Sequence, residues 1–331
     1  MRYSNSLMKT VGMLLVFGIA LAAAGPRDAT SLTNKRVKYN MSESHMATFR
    51  RGYVEAIIVD NEAFGADHKK GYSGVASLKH KRRGGNIFVP SYAGLNFELI
   101  FDGTNAPRDV MFEPRRATME LRVVDARTVE LYKAPTPTWK LESATRFEIE
   151  RDGAIHMTFE CIPRARVFKN NWIGLFWASY IYKPGAGSIH FLGRERGSRG
   201  ERWIEAASPS HGSQSTHMGS GDARVFQRAP DFPSHWMAFS FSNYEYTQPF
   251  YFGFSRGLGL LMEFRRQDRI WFTQSPSGGG KGNPAWDFQY YIADYKVDTP
   301  YGFEMRLAYA PFLGQEKIKK LHEKLAKRWR Q

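Results

Sequence analysis

The run NPAWDFQ, inside the longer stretch from Ile270 to Tyr295, sets an amide, a carboxylate and large rings within a few residues of one another. A pyranose presents an apolar CH face for stacking and a rim of hydroxyls for planar polar groups, so Trp286 with Asn283, Asp287 and Gln289 has the composition of a sugar pocket. In extended backbone Trp286, Phe288 and Tyr290 fall on one face and Asp287, Gln289 and Tyr291 on the other, so both sets reach one sugar only if a bulge intervenes. An aromatic core beneath an exposed polar face would carry the same pattern. The preceding GGGKGN is no phosphate cradle: Lys281 is followed by Gly, the P-loop spacing is absent, and the segment that follows is strand-like.

Other side chains could carry proton or metal chemistry. His211 and His217 lie in SPSHGSQSTHMGSGD with Asp222 close behind. Loop spacing of this kind selects no metal, and none is expected; His211 is instead the candidate general acid or base, since imidazole titrates near neutral pH. His156, Thr158 and Glu160 alternate with Ile155, Met157 and Phe159, which makes a polar row that lines a cleft or faces solvent. His156 is taken as a substrate contact on the first alternative. Cys161 is the only cysteine, so no intrachain disulfide or cysteine-rich zinc site exists, and it is expected as a small core residue. No cofactor is called for by any motif.

The elements that must position these groups read as β-structure. Ala117–Val123 and Thr128–Tyr132 alternate apolar and polar residues around Asp125-Ala126-Arg127, and Asp152-Gly153 supplies a second tight hairpin turn. NIFVPSYAGLNFELIF (86–101) mixes Pro and Gly into an apolar run, as strands that bend or line a site do. NNWIGLFWASYIY is apolar on both faces and marks a central strand. The segment 193–231, rich in Gly, Ser, Arg and His, is expected as a long functional or mobile loop, and strands follow closely from Trp236 to Tyr309. Only Gln315–Trp329 has helical spacing, with Ile318, Leu321, Leu325 and Trp329 on one face and lysines elsewhere.

Length and charge bound the rest. The 331 residues suffice for one large all-β domain, and aromatics at 15% favour strands and stacking surfaces. Arg2 and Lys9 precede an uncharged run from Thr10 to Ala24 that closes on Ala22-Ala23-Ala24, the three parts of a secretory signal, with Met8 as an alternative start. The expected division is a signal peptide at 1–24, a flexible leader at 25–52, a β domain at 53–314 and a basic helix at 315–331, in a secreted or periplasmic protein. The net charge of +15 would suit a polyanion. Export argues against nucleic acid and for acidic polysaccharide or the cell envelope, which the basic C-terminal helix could touch peripherally.

Taken together, FVPSYAGLNFE, WKLESATRF, IGLFWASYI, FYFGF, FTQSPSGGGKGNPAWDFQ and YGFEMRLAYAPF resemble secreted bacterial proteins of the galactose-mutarotase-like β-supersandwich class, from about Tyr53 to Phe312. The resemblance implies an all-β fold, a large antiparallel supersandwich with a C-terminal amphipathic helix, and a carbohydrate ligand. For an epimerase it implies a histidine acid and a carboxylate base, here His211 and Asp287, although the usual epimerase histidine motif is missing. For a β-eliminating lyase it implies a group that neutralises a uronate and a Tyr or His base, for which Arg265, Gln274, Tyr251 and His211 are the residues of suitable type. A noncatalytic carbohydrate-binding or envelope structural role is the alternative.

Overall fold

The computed structural model describes residues 28–232 and 237–329. The predicted signal segment and Trp236 lie outside the described residues. One sixteen-stranded sheet, with a separate three-stranded sheet of Met46–Arg51, Val54–Val59 and Gly74–His80, supplies most of the regular structure of the described chain. It is a mixed sheet: Thr216–Gly219 runs parallel to Phe241–Tyr246, whereas its other pairings are antiparallel. The expected all-β sandwich with a C-terminal helix is thus the fold observed, its large sheet antiparallel but for that one pair.

The large sheet folds over itself into two layers, because apolar side chains from distant strands share one core. Trp177, on Trp172–Ala178, meets Phe159 and Phe303 of the facing layer at 4.8 Å between ring centroids, and stacks on Phe97 and Phe288 of its own layer at 4.8 and 5.4 Å. The first layer contains Leu141–Ile149, Ile155–Pro163, Tyr301–Ala310, Leu258–Phe264 and Phe250–Ser255. The second contains Thr216–Gly219, Trp271–Ser275, Ala285–Ala293, Trp172–Ala178 and Asn96–Phe101. Both predicted hairpins form, and Gly153 has φ +88° in the second. The segment expected as one long loop contributes Arg202–Ala206, paired with Ile189–Glu195, and Thr216–Gly219. Short helices at Arg108–Met111 and Glu113–Arg116 were not expected.

The outer face of the first layer is covered in two places. The helix Gln315–Arg328 lays Ile318 against Phe250, Phe252 and Leu261 and sets His322 4.7 Å from the Phe250 ring. Beside the helix, Glu263 is buried and paired with Arg306 at 3.1 Å, while His322 Nδ1 lies 3.4 Å from its other oxygen; Arg306 also holds Glu150 and Asp152. The amino-terminal segment closes another part of the same layer. Buried Glu160 accepts from Ala29 N, Thr30 N, Thr30 Oγ1 and Thr33 Oγ1 at 2.6–3.2 Å, and buried Glu130 accepts from Ser31 N and Arg146. Within the stretch expected as a leader, 28–33 thus form a clasp and Met46–Arg51 a strand.

Candidate functional site

The sequence-proposed residues are scattered through the fold. His211 is exposed in the turn before Thr216–Gly219 and bonds to no described residue. His156 points outward from the first layer and pairs with Glu304 at 3.2 Å, while Glu160 of the same row is the anchor of the clasp. Arg265 is bound to Asp268 and Glu304. Tyr251 is a core residue with no exposed surface; its hydroxyl donates to the Asp287 carbonyl at 3.1 Å, and burial pushes its pKa well up. Trp286 is equally buried, its Nε1 donating to Gly187 O at 3.0 Å and its ring pressed on Gly253, where an added Cβ would stand 2.3 Å from the indole.

Two further candidates are structural locks. Asn283 bridges Gly279 O and Lys183 N and so closes the glycine loop. Gln274 Nε2 contacts His217 Nε2 at 3.1 Å, and His217 Nδ1 meets Ser242 Oγ at 2.6 Å. Asp222 holds Arg224, Arg269 and Trp271 Nε1, apart from both loop histidines. Among the described residues no group of His, Cys, Asp and Glu could hold a metal ion. Cys161 is buried and its thiol pKa pushed well up, which leaves it no thiolate to react.

Asp287 is different. It lies on the outer face of the second layer with Gln289, and there it meets groups that the sequence reading passed over. In the pairing of Asn96–Phe101 with Trp172–Ala178, Leu99 stands opposite Phe176 and Phe97 opposite Trp177, so Glu98 is an extra, bulged residue. Gly94 makes room for the bend, since a Cβ there would lie 2.1 Å from the Phe88 ring. The bulge turns Glu98 away from the core. Its Oε2 accepts from Asn96 Nδ2 at 3.0 Å and from the Tyr180 hydroxyl, and its Oε1 takes no hydrogen bond from a described residue. Tyr180 follows the central strand, and the next residue back, Ser179, donates its N–H to Asp287 Oδ1 at 2.9 Å; Oδ2 of Asp287 is buried with no partner among the described residues.

Rings and cations surround these carboxyls. Tyr92 lies 4.8 Å from Tyr180 and 4.5 Å from Tyr72, both Tyr72 and Tyr92 being half-buried. Arg115 covers Tyr72 at 3.8 Å and Lys69 covers Tyr92 at 5.8 Å. Gln289 is fixed by Thr273 and Thr216, and accepts from the Tyr291 hydroxyl at 2.5 Å.

Electrostatics separate the two acids. Burial raises the Glu98 pKa, opposed by the Tyr180 hydroxyl, the Arg115 charge and the Asn96 amide, all of which favour its anion. Burial holds Asp287 well above the carboxylate range, the Glu98 charge pushes it further, and one backbone N–H opposes. Burial thus pushes both carboxyls up, and more groups support the Glu98 anion than that of Asp287.

One signal in the sequence did mark Glu98: it is the only charged residue in the otherwise apolar bent run 86–101. Tyr180 and Tyr72 carry no local mark, because their neighbours come from pairings across the sheet.

No protein-family model matches the chain, and comparison with curated proteins gives no match. Solved structures similar to it include a candidate aldose 1-epimerase from Escherichia coli, at 9% identity and TM-score 0.45 over 82% of this chain and 100% of that one. A galactose mutarotase related enzyme from Lactobacillus acidophilus is similar at 8% identity and TM-score 0.43, over 80% of this chain and 97% of that one. The heparan sulfate lyase HepC from Pedobacter heparinus is similar at 12% identity and TM-score 0.38, over 84% of this chain, which spans 37% of the lyase. These are likenesses of general strand arrangement, and the site described above rests on this chain's own residues.

Proposed function

We propose that the protein is an exported carbohydrate-processing enzyme whose site is the outer face of the second layer, with Glu98 as base, Asp287 as acid and Tyr180 holding the Glu98 anion. The observation that carries the reading is the pair of neighbouring carboxyl groups on one face, Glu98 with a free oxygen and Asp287 with one unpartnered among the described residues, next to half-buried tyrosine rings. Such a pair serves sugar epimerisation, where one group takes the anomeric hydroxyl proton while another protonates the ring oxygen. It also serves β-elimination, where the base removes the proton beside a uronate carboxylate and the acid protonates the glycosidic oxygen that departs as the double bond forms. Arg115 and Lys69, neither in an ion pair among the described residues, suit the uronate.

The test is polarimetry on aldoses together with ultraviolet detection of unsaturated product from uronate polysaccharides. Glu98→Gln should lower whichever activity is found by about a hundredfold or more; equal rates in parent and variant would remove Glu98 from the mechanism. Recognition without chemistry is the second reading, and the 1% exposure of Asp287 favours it. On that reading Glu98→Gln changes glycan affinity and no turnover is found on any substrate. Export rests on the segment from Arg2 to Ala24 and is checked by cell fractionation.

A further inference from the structure

Beyond Tyr180, two strand-end turns bring cations together, with no ion pair to balance them among the described residues. The turn after Gly74–His80 carries Lys81, Arg82 and Arg83, all exposed, and the hairpin turn between Phe250–Ser255 and Leu258–Phe264 carries Arg256. Arg256 has φ +52°, in the left-handed region where Gly or Asn would be less costly. Residues other than glycine persist in that region where the surroundings over-determine them, often at a functional surface. Here the backbone sets the guanidinium against Gly85, whose hypothetical Cβ would be 2.8 Å from Arg256 Cζ, with Nε donating to Asn86 O at 3.2 Å. Arg83 lies in turn against Gly257, 3.6 Å from the equivalent point. None of Lys81, Arg82, Arg83, Lys183 and Arg256 has an ion-pair partner among the described residues.

Rings are interleaved with these charges. Arg82 lies 4.8 Å over Tyr53, and Arg256 and Lys183 lie 5.9 and 5.4 Å from Tyr182. Tyr182 is two residues beyond Tyr180, and Val89 N to Tyr180 O, with Tyr182 N to Ile87 O, keeps that backbone extended. Side chains two apart on extended backbone point the same way, about 7 Å from each other. The cation-and-tyrosine surface is thus continuous with the carboxyl site.

We infer that Arg82, Arg83, Lys183 and Arg256, with Tyr53 and Tyr182, form a binding surface for an acidic polysaccharide chain, one end of which enters the Glu98–Asp287 site. The inference rests on the carbohydrate reading and deepens it: the ligand is a polymer with regularly placed carboxylates or sulfates, and not a free sugar. Anionic groups neutralise the unpaired guanidinium groups while CH faces of the chain lie on the tyrosines. An anionic membrane is the less suitable partner, since the side chains that form this surface are cations and tyrosines, with no aliphatic group among them to insert.

The test titrates the full chain with polygalacturonate, with monomeric galacturonate and with phosphatidylglycerol vesicles, over a range of salt. Arg83→Gln/Arg256→Gln should weaken polygalacturonate binding by about tenfold, equivalent to about 1.4 kcal/mol, and leave galacturonate binding unchanged. A charge control, Lys320→Gln/Lys324→Gln, should change polymer binding much less. Arg256→Asn separates charge from folding: it relieves the left-handed residue, so it should melt no lower than the parent and still bind polymer more weakly. The inference is overturned if polygalacturonate does not bind, if the control weakens binding as much as the turn variant, or if vesicles bind more tightly than polymer. Loss of polymer binding in the turn variant, with Glu98→Gln lacking any effect on turnover, would keep this surface and remove the catalytic reading alone.

Discussion

His217 sits in the sandwich interior between Ser242 and Gln274 with its ring 4.9 Å from Phe191, and burial lowers its pKa to about 3. The unfolded chain binds a proton there below about pH 6.5 and the folded one does not until about pH 3. Stability should therefore fall as pH drops through that window, with this residue contributing a slope of about 1.4 kcal/mol per pH unit. Urea midpoints measured from pH 7 to 4 check it; His217→Gln should flatten the slope even if it lowers stability at pH 7. At the candidate site the sign follows from Glu98, whose raised pKa places the acid limb of activity above the usual carboxylate range. Tyr180→Phe removes a donor to the anion, so that limb should move to still higher pH. Asp287 can be read from the sequence because a carboxylate stands out between Trp286 and Phe288. His211 and Tyr251 illustrate the opposite case. Suitable chemistry by residue type says nothing of whether a side chain ends in an open turn or a sealed core.

Among the elements, periodicity carries furthest where a strand has one wet face. The hairpins around Asp125 and Asp152-Gly153 and the terminal helix follow from alternation, turn residues and 3.6-residue spacing alone. The Glu98 bulge does not, since an extra residue exists only relative to the partner strand it fails to match. The same holds for Thr216–Gly219, short enough to be lost in a Gly- and Ser-rich stretch and held in place by neighbours far away in sequence. Where the helix meets the first layer, Glu263 depends on Arg306. Arg306→Ala should cost about 3 kcal/mol or more by leaving a buried carboxylate unpaired, and Glu263→Gln added to it should recover part of that loss. Chemical denaturation of the parent, both single variants and the double variant measures the coupling.

For the whole molecule, the two layers are joined through one aromatic hub. Trp177 touches rings from both layers, and Trp177→Ala should destabilise by about 3–5 kcal/mol in a thermal or urea melt. Sequence composition makes such a hub expected in kind, through the aromatic content and the doubly apolar run around Trp177, while its location needs the sheet to be folded over. The clasp at the amino-terminal end bears on maturation. Thr30, Ser31 and Thr33 provide most of the donors for Glu160 and Glu130, so cleavage after Ala24, as a signal segment would require, leaves both carboxylates satisfied. A protease that trimmed as far as Asn34 would instead remove the Ala29, Thr30 and Thr33 donors to Glu160 and the Ser31 donor to Glu130. The boundary between harmless and damaging removal of chain should thus fall between Asp28 and Asn34, and graded amino-terminal trimming followed by melting would find it as a single step.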